Sequence, residues 1–532
     1  MRWRILLHQG LIRKDLSTNI KPFAVEDRGL SANLYSLIQS RFPANHEQVL
    51  IETGTGRTYS YADLERESAR YARFFADLGL VKGDRVVAQL DKSPEVLFLY
   101  LGCLRAGLIY LPLNTAYRKA ELEYFLSDAE PRAIVCAPQL LPALQALAEA
   151  QGITHVFTLD QAGGGSLQTQ SADTSATFEP VICTADDVAA ILYTSGTTGR
   201  PKGAMISHSN LSSNALALQE AWGWRSDDVL LHALPLYHVH GLFVACHCVL
   251  FGGSRMLMLD KFDSRKVLEL LPRVTVMMGV PTFYTRLLAE PDFGSAQSAH
   301  MRLFISGSAP LLEQTFSEFQ ARTGHAILER YGMTETGMNT SNPLRGDRLP
   351  STVGLPLPGV AVRVVDESGA DVAAGDVGLL LVKGPNVFQG YWRMPEKTAE
   401  EFTEDGFFKT GDLASIGPQG YVSIVGRGKD LIITGGLNVY PKEVERFIDD
   451  LDGVFESAVI GLPHADFGES VNAVVVRDNS SPPVTEDAII SVLKDKLAGF
   501  KVPKQVFFVD ELPRNAMGKV QKNVLRERYQ KA

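Results

Sequence analysis

The stretch that most constrains this chain is a short apolar run, Ile191, Leu192 and Tyr193, that gives way at once to small polar residues. Seven of the nine residues in 194–202 are glycine, hydroxyl residues or lysine: Thr194, Ser195, Gly196, Thr197, Thr198, Gly199 and Lys202. The apolar run reads as a buried strand. Glycines let the backbone turn tightly and aim N–H groups at an anion, hydroxyls add donors, and Lys202 brings a mobile positive charge. A phosphate cradle at the end of a strand is therefore expected. The order S-G-T-T-G-x-x-K-G is not the P-loop order G-x-x-x-x-G-K-[ST].

A chain of 532 residues is too long for a single core, so two or more domains are expected. The apolar fraction of 45% and charged fraction of 21% are those of a globular protein. A net charge of −9 leaves no basic excess to neutralise nucleic-acid phosphates. Cys103, Cys136, Cys183, Cys246 and Cys248 are odd in number and scattered, which fits no disulfide framework and points to a reducing, cytoplasmic compartment. The C-x-C spacing around His247 matches no zinc framework and lies in apolar sequence, so buried small side chains are expected there rather than a metal site. No apolar run reaches the roughly 18 residues a membrane helix needs. The first 14 residues carry Arg2, Arg4, Arg13 and Lys14 without an acid. They read either as a fragment of a transit peptide, implying the mitochondrial matrix, or as an upstream start added to the protein.

From residue 31 to about 180 helix and strand alternate, the mark of a largely parallel sheet. Residues 61–78 form an amphipathic helix with Leu64, Ala69, Tyr71, Ala72, Phe75 and Leu78 available for burial; 94–106 form a second. Residues 86–90 and 134–136 are strands, and 162–179 a Gly/Ser/Thr-rich surface loop. Strands at 277–280 and 303–306 end in turns where ligands of such sheets gather. Residues 354–425 change texture to short strands with Gly and Pro turns, a β-rich subdomain. Gly426, Arg427, Gly428, Lys429 and Asp430 then punctuate the chain. The remainder, with strands at 457–460, 471–476 and 505–509 and helices at 442–450 and 486–497, suffices for a small α+β domain. The boundary is expected at 428/429, giving an extension of unknown role (1–30), a large domain (31–428) and a small one (429–532).

Nucleotide phosphates need partial neutralisation before an oxygen nucleophile approaches. Glu335, just after the turn in Y-G-M-T-E, is the candidate for holding Mg²⁺. Ribose hydroxyls call for an acceptor, which Asp412 in K-T-G-D offers, with Arg427 as a second contact. The loop P-R-N-A-M-G-K presents Lys519 near the far end.

The motifs TSGTTGRPKG, YGMTE, KTGD, GRGKD and PRNAMGKV occur together and in order, and by them the chain resembles the adenylate-forming superfamily of acyl-CoA synthetases, luciferases and peptide-synthetase adenylation domains. The resemblance runs from about Ser31 to Tyr529. It implies an α/β fold: a large N-terminal domain of α/β sheets with a β-rich subdomain, plus a small mobile α+β C-terminal domain. It also implies a two-step reaction in which a carboxylate attacks the α-phosphate of ATP and coenzyme A thiolate then displaces AMP. By that resemblance Thr194 and Glu335 bind Mg²⁺, and the cradle from Thr194 to Lys202 holds phosphates. Ser308, Ala309, Pro310, Glu329, Arg330 and Tyr331, followed by Gly332, Met333 and Thr334, wall the nucleotide. Asp412 and Arg427 hold ribose, Lys429 is the hinge, and Gly435, Gly436 and Leu437 face the pantetheine channel. Lys519 is the adenylation lysine, a preorganised cation for charge building at the α-phosphate. Acetylation removes that charge, so an acetyltransferase and deacetylase acting on Lys519 are implied partners.

Pocket residues are expected from 234–241, 279–286 and 305–308, which offer His238, Arg286, Ser306 and Ser308 where a fatty acid would need an apolar tunnel. Arginine suits a second carboxylate, and a buried one implies a dianion. The segments LFISGSAPLL, ERYGMTET, NTSNP, GPNVFQGYWRMPEKT and ITGGLNVYPKEVE resemble malonate–CoA ligases in particular. That likeness implies malonate, ATP and coenzyme A as small-molecule substrates, Arg286 on the distal carboxylate, His238 beside it, and Val239 and Met333 as walls that make methylmalonate a poorer substrate. The alternatives are the same chemistry on methylmalonate or another short acid, a carrier-loading adenylation module, and a non-catalytic sensor. The absence of a carrier sequence after Ala532 disfavours the second, and the presence of Lys519 and Glu335 the third.

Overall fold

The computed structural model describes residues 31–117, 119–194, 201–434, 437–464, 467–478, 483–497, 499–515 and 518–530. The expected extension, 1–30, lies outside them.

The molecule is the mixed α/β architecture expected. One seven-stranded sheet runs in the order Gly390–Tyr391, Lys202–Ser207, Val188–Thr194, Ile109–Pro112, Arg85–Gln89, Ala133–Cys136, His155–Thr158, its last five strands parallel. A nine-stranded sheet runs Leu355–Pro356, Gly337–Ser341, Leu328–Met333, Leu303–Ser306, Val276–Gly279, Val229–His232, Arg255–Met258, Val49–Thr53, Thr58–Ser60. Parallel sheets are covered on both faces, and period-two alternation divides their side chains accordingly. Val86, Ala88, Tyr110 and Val135 enter a core shared with Leu230, Met256, Met278 and Ile305 of the other sheet. Val87, Ile109, Leu111 and Ile134 pack outward on one side, and Leu231, Leu257, Met277 and Phe304 on the other.

Helix Pro94–Arg105, buried at every residue, lies in the shared core. It starts with Pro94 at its first position, where the missing N–H costs nothing. Helix Tyr61–Asp77 packs on it, entered through a capping box in which Ser60 and Asp63 exchange hydrogen bonds. Gly102 permits that approach, because a methyl group there would lie 2.9 Å from Tyr71 Cβ and 3.1 Å from the Ser68 carbonyl oxygen. The expected buried stripe is present, with Leu78 half-buried at the edge. Within the expected surface loop at 162–179, Ser166–Ser171 is instead a short helix anchored by the fully buried Leu167.

The β-rich region is a four-stranded antiparallel sheet, Ala361–Val365, Gly378–Lys383, Phe408–Ile416 and Val422–Arg427. A 3₁₀ turn, Gly428–Asp430, follows it. Beyond lie the hairpin Val454–His464 and Gly468–Arg477, with Gln505–Val509 added in parallel. Helices Pro441–Asp449 and Glu486–Lys496 bury Val444, Ile448, Ile489 and Leu493 in one cluster, while Leu525 of Lys522–Tyr529 joins a second.

Candidate active site

The C-terminal ends of the parallel strands of both sheets converge, and the polar side chains collect there. Thr194 ends Val188–Thr194, and its cross-strand partner is Lys202, which opens the antiparallel strand Lys202–Ser207. The strand that follows the cradle is antiparallel to the one before it. Ser195, Gly196, Thr197, Thr198 and Gly199 lie outside the described residues, as do Gly435 and Gly436. Thr194 Oγ1 donates to Glu335 Oε1 at 3.3 Å, and Tyr391 Oη donates to the same oxygen at 3.1 Å. Lys202, almost fully buried, has Nζ 3.4 Å from Glu401 Oε1 and 4.0 Å from the Tyr391 ring centre. Sequence alone does not single out Tyr391 and Glu401, although both fall in or beside the segment ending GYWRMPEKT.

Asp412 and Arg427 face each other across antiparallel strands, with Arg427 Nε 2.7 Å from Asp412 Oδ1. Tyr331 Oη donates to Asp412 Oδ2. Burial and the Asp412 charge push the Tyr331 hydroxyl well above its ordinary range, so it stays protonated and a donor. Each carboxylate oxygen keeps a second lone pair for a further donor. Glu329 is buried, and desolvation lifts its carboxyl to about 8, against the Leu311 N–H that Oε1 accepts at 3.0 Å.

Alternation along Leu328–Met333 sends Arg330 to the opposite face from Glu329 and Tyr331. The Arg330 guanidinium lies against Gly307, where a methyl group would be 2.4 Å from Cζ. Arg330 is 3% exposed, and Nε and Nη2 have no hydrogen-bond partner among the described residues. The same holds for His240 Nε2 and Ser306 Oγ. His240 Nδ1 lies 3.2 Å from Ser308 Oγ, and Ser308 itself takes a left-handed φ of 71°. His238 Nδ1 accepts the His240 backbone N–H at 3.2 Å. Burial, with the Arg330 charge adding to it, pushes His238 down to about 4 and His240 well below its usual value, so both rings are neutral at pH 7. Burial lowers Arg330 only to about 10, which leaves it cationic.

Arg286 is exposed on helix Pro281–Leu288, whose buried side chains are Tyr284, Leu287 and Leu288. Of the two arginines, Arg330 is the buried one. His240, the second histidine of Y-H-V-H-G, joins it, whereas the sequence points to the first. Val239 is buried and lines a small cavity with Phe243 and Thr334, while Met333 packs beside Phe388 and Tyr391. Gly332 leaves room for the turn: a methyl group there would sit 2.1 Å from the Gly337 carbonyl oxygen.

The loop carrying Lys519 approaches the start of helix Pro281–Leu288. The Asn515 N–H donates to the Lys519 carbonyl oxygen at 2.9 Å, and the Lys519 N–H donates to Asn515 Oδ1 at 3.0 Å. A methyl group on Gly518 would lie 3.5 Å from Thr282 Oγ1. Arg446 Nη2 approaches Glu313 Oε2, at the start of helix Glu313–Thr323, at 3.6 Å.

Residues 39–392 match the AMP-binding enzyme family and 443–519 the AMP-binding enzyme C-terminal domain. This chain belongs to the AMP-binding enzymes. It is similar to malonate–CoA ligase of Arabidopsis thaliana, 35% identical over 524 residues covering 89% of this chain and 85% of that protein. Mitochondrial malonate–CoA ligase of Mus musculus is 37% identical over 462 residues, covering 80% of this chain and 78% of that one. Among solved structures, ATP-bound MatB from Rhodopseudomonas palustris is 56% identical, with a TM-score of 0.92 over 94% of this chain and 99% of that one. Apo MatB from the same organism, 57% identical over the same shares, gives 0.82. This AMP-binding enzyme thus superposes more closely on the ATP-bound structure than on the apo one.

Proposed function

We propose that this AMP-binding enzyme joins malonate to coenzyme A: ATP + malonate + CoA → malonyl-CoA + AMP + pyrophosphate, through a malonyl-adenylate. Its malonate–CoA ligase relatives support the acid, and one observation in the site carries it: the buried, cationic guanidinium of Arg330 with two nitrogens unpartnered among the described residues. A buried cation without a counter-anion is costly. The second carboxylate of a short diacid supplies the missing acceptors in a charge-assisted pair, with His240 and Ser306 completing the polar cluster. A monocarboxylic acid offers these groups nothing. Arg286 and His238 serve the same diacid, Arg286 from the exposed rim, and Val239 and Met333 bound the space at its α-carbon.

The reacting carboxylate attacks the α-phosphorus while Lys519 offsets the charge that builds on both partners. Thr194 and Glu335 present hard oxygens that suit Mg²⁺, which when bound neutralises phosphate charge. Lys202 exchanges Glu401 for the phosphates. Asp412 and Arg427 hold the ribose; Ser308, Ala309, Pro310, Glu329 and Tyr331 wall the adenine. The small domain, 429–532, then turns at Lys429 against 31–428 so that residues 435–437 face the incoming thiol. The acetylation of Lys519 would stop the first step.

Purified protein with Mg-ATP, malonate and coenzyme A should give malonyl-CoA and AMP in equal amounts by mass spectrometry. Preferred thioester formation from acetate or octanoate would overturn the acid. No thioester from any acid would overturn the ligase reading.

A further inference from the structure

We propose that Lys92 and His232 form a positioning pair that sets the orientation of His240, and through it the selectivity of the carboxylate site; this rests on the reading of that site given above. Lys92 lies just past the C-terminal end of strand Arg85–Gln89 in one sheet, and His232 ends strand Val229–His232 in the other. Both are buried, at 8% and 1% exposure. Lys92 Nζ is 2.7 Å from His232 Nδ1 and 2.8 Å from the His232 carbonyl oxygen. His232 Nε2 is 2.9 Å from the Gly241 carbonyl oxygen. A carbonyl only accepts, so Nε2 carries the ring proton and Nδ1 is the lone pair that Lys92 fills. The lysine therefore selects the one tautomer that can hold Gly241.

Gly241 is the residue after His240, in the wide-turned π-helical segment His240–Cys246. A methyl group on Gly241 would lie 2.0 Å from the Pro235 carbonyl oxygen, so the turn from 235 to 241 has no slack. The Gly241 carbonyl that His232 holds is one residue from His240, so this anchor sets the backbone that aims the His240 ring, whose Nδ1 meets Ser308 and whose buried Nε2 has no hydrogen-bond partner among the described residues, near the Arg330 charge. A leucine or methionine would fill the space of Lys92 without the desolvation cost of a buried amine. The groups facing Lys92 are His232, Cys246 and Asp260; burial draws its ammonium down to about 7, with Cys246 and Asp260 opposing. Cys246 Sγ sits 3.4 Å from His232 Nε2, within the same segment. Either protonation state of the amine can donate to Nδ1, but only the charged one adds a second cation behind the carboxylate cluster.

The test is steady-state kinetics of full-length Lys92→Met and His232→Leu, with KM for the acid and for ATP measured separately across pH 6 to 9. Loss of one buried hydrogen bond in the relay should raise KM for malonate about tenfold and leave KM for ATP within about twofold. Lys92→Met should also flatten the pH dependence of kcat/KM for malonate near neutrality. Lys92→Gln, which keeps a shorter donor, should show a smaller split and stands in if Lys92→Met fails to fold. Parallel rises in both KM values, or none, would overturn the pair as anything but a weld between sheets. If wild type prefers another acid and the split appears for that acid, the pair stands and the malonate reading falls.

Discussion

Lys519, the proposed adenylation lysine, sits on a loop rather than on a helix or strand, and the adjacent Gly518 lies beside Thr282. Lys519→Ala should lower acid-dependent pyrophosphate release by about 100- to 1000-fold, the scale of losing one preorganised charge-stabilising group. Thioester formation from supplied malonyl-adenylate should survive in the same variant, and equal loss of both steps would contradict the assignment. His238 makes a prediction about pH. Its ring is pushed from an ordinary 6.5 down to about 4, so it binds a proton only below that value. The profile of kcat/KM for malonate between pH 5 and 6.5 should then lack a histidine limb. A limb near 6.5 that vanishes in His238→Asn would contradict this. The residues proposed for the nucleotide site are picked out in the sequence because phosphate, ribose and metal each demand a residue type at a turn. Arg330 is not, since a buried cation and an exposed one look alike until strand alternation shows which face the side chain takes.

Among elements, helix Pro94–Arg105 is the clearest case of sequence dictating structure. Proline opens it, apolar residues surround it, and Gly102 marks where helix Tyr61–Asp77 crosses. Gly102→Val should destabilise the protein by about 1–3 kcal/mol through overpacking against Tyr71, read as a lower denaturation midpoint, while KM values stay unchanged. Helix Tyr61–Asp77, with its long apolar stripe, is equally legible; the short helix Ser166–Ser171 is not, because one buried leucine leaves no period to read. Helix Pro441–Asp449 carries a second test. Burial raises the Asp449 carboxyl from 3.8 to about 7, against the Ser457 hydroxyl that donates to it at 2.7 Å. Between those values the native state keeps a proton that the unfolded chain has released. This group's contribution is therefore fully present at acid pH and is lost as pH climbs from 3.8 through about 7. Asp449→Asn should protect strand Val454–His464 from hydrogen exchange at pH 8, by about 1–3 kcal/mol, and change little near pH 4. Equal protection at both pH values would remove the carboxyl as the cause.

For the whole molecule, the loop of Lys519 against Thr282 and the ion pair of Arg446 with Glu313 belong to an arrangement that resembles ATP-bound MatB. A single arrangement cannot serve both half-reactions if the hinge assignment is right. Lys429→Pro should then spare adenylate formation and cut thioester formation by at least about tenfold, since proline removes the backbone freedom a rotation needs; equal loss would put the hinge elsewhere. The changes of texture along the chain are readable in the sequence, but the approach of Gly518 to Thr282 and of Arg446 to Glu313 joins residues far apart in the chain, which no local pattern carries. The claim on which the rest depends is that a buried arginine selects a dianion. Its most direct test is the ratio of kcat/KM for malonate to that for propionate, in wild type, Arg330→Met and Arg286→Ala. The ratio should be large in wild type and collapse by at least about a hundredfold in Arg330→Met, with a smaller drop in Arg286→Ala. An unchanged ratio in Arg330→Met, with collapse in Arg286→Ala alone, would contradict the account and return the second carboxylate to the exposed arginine.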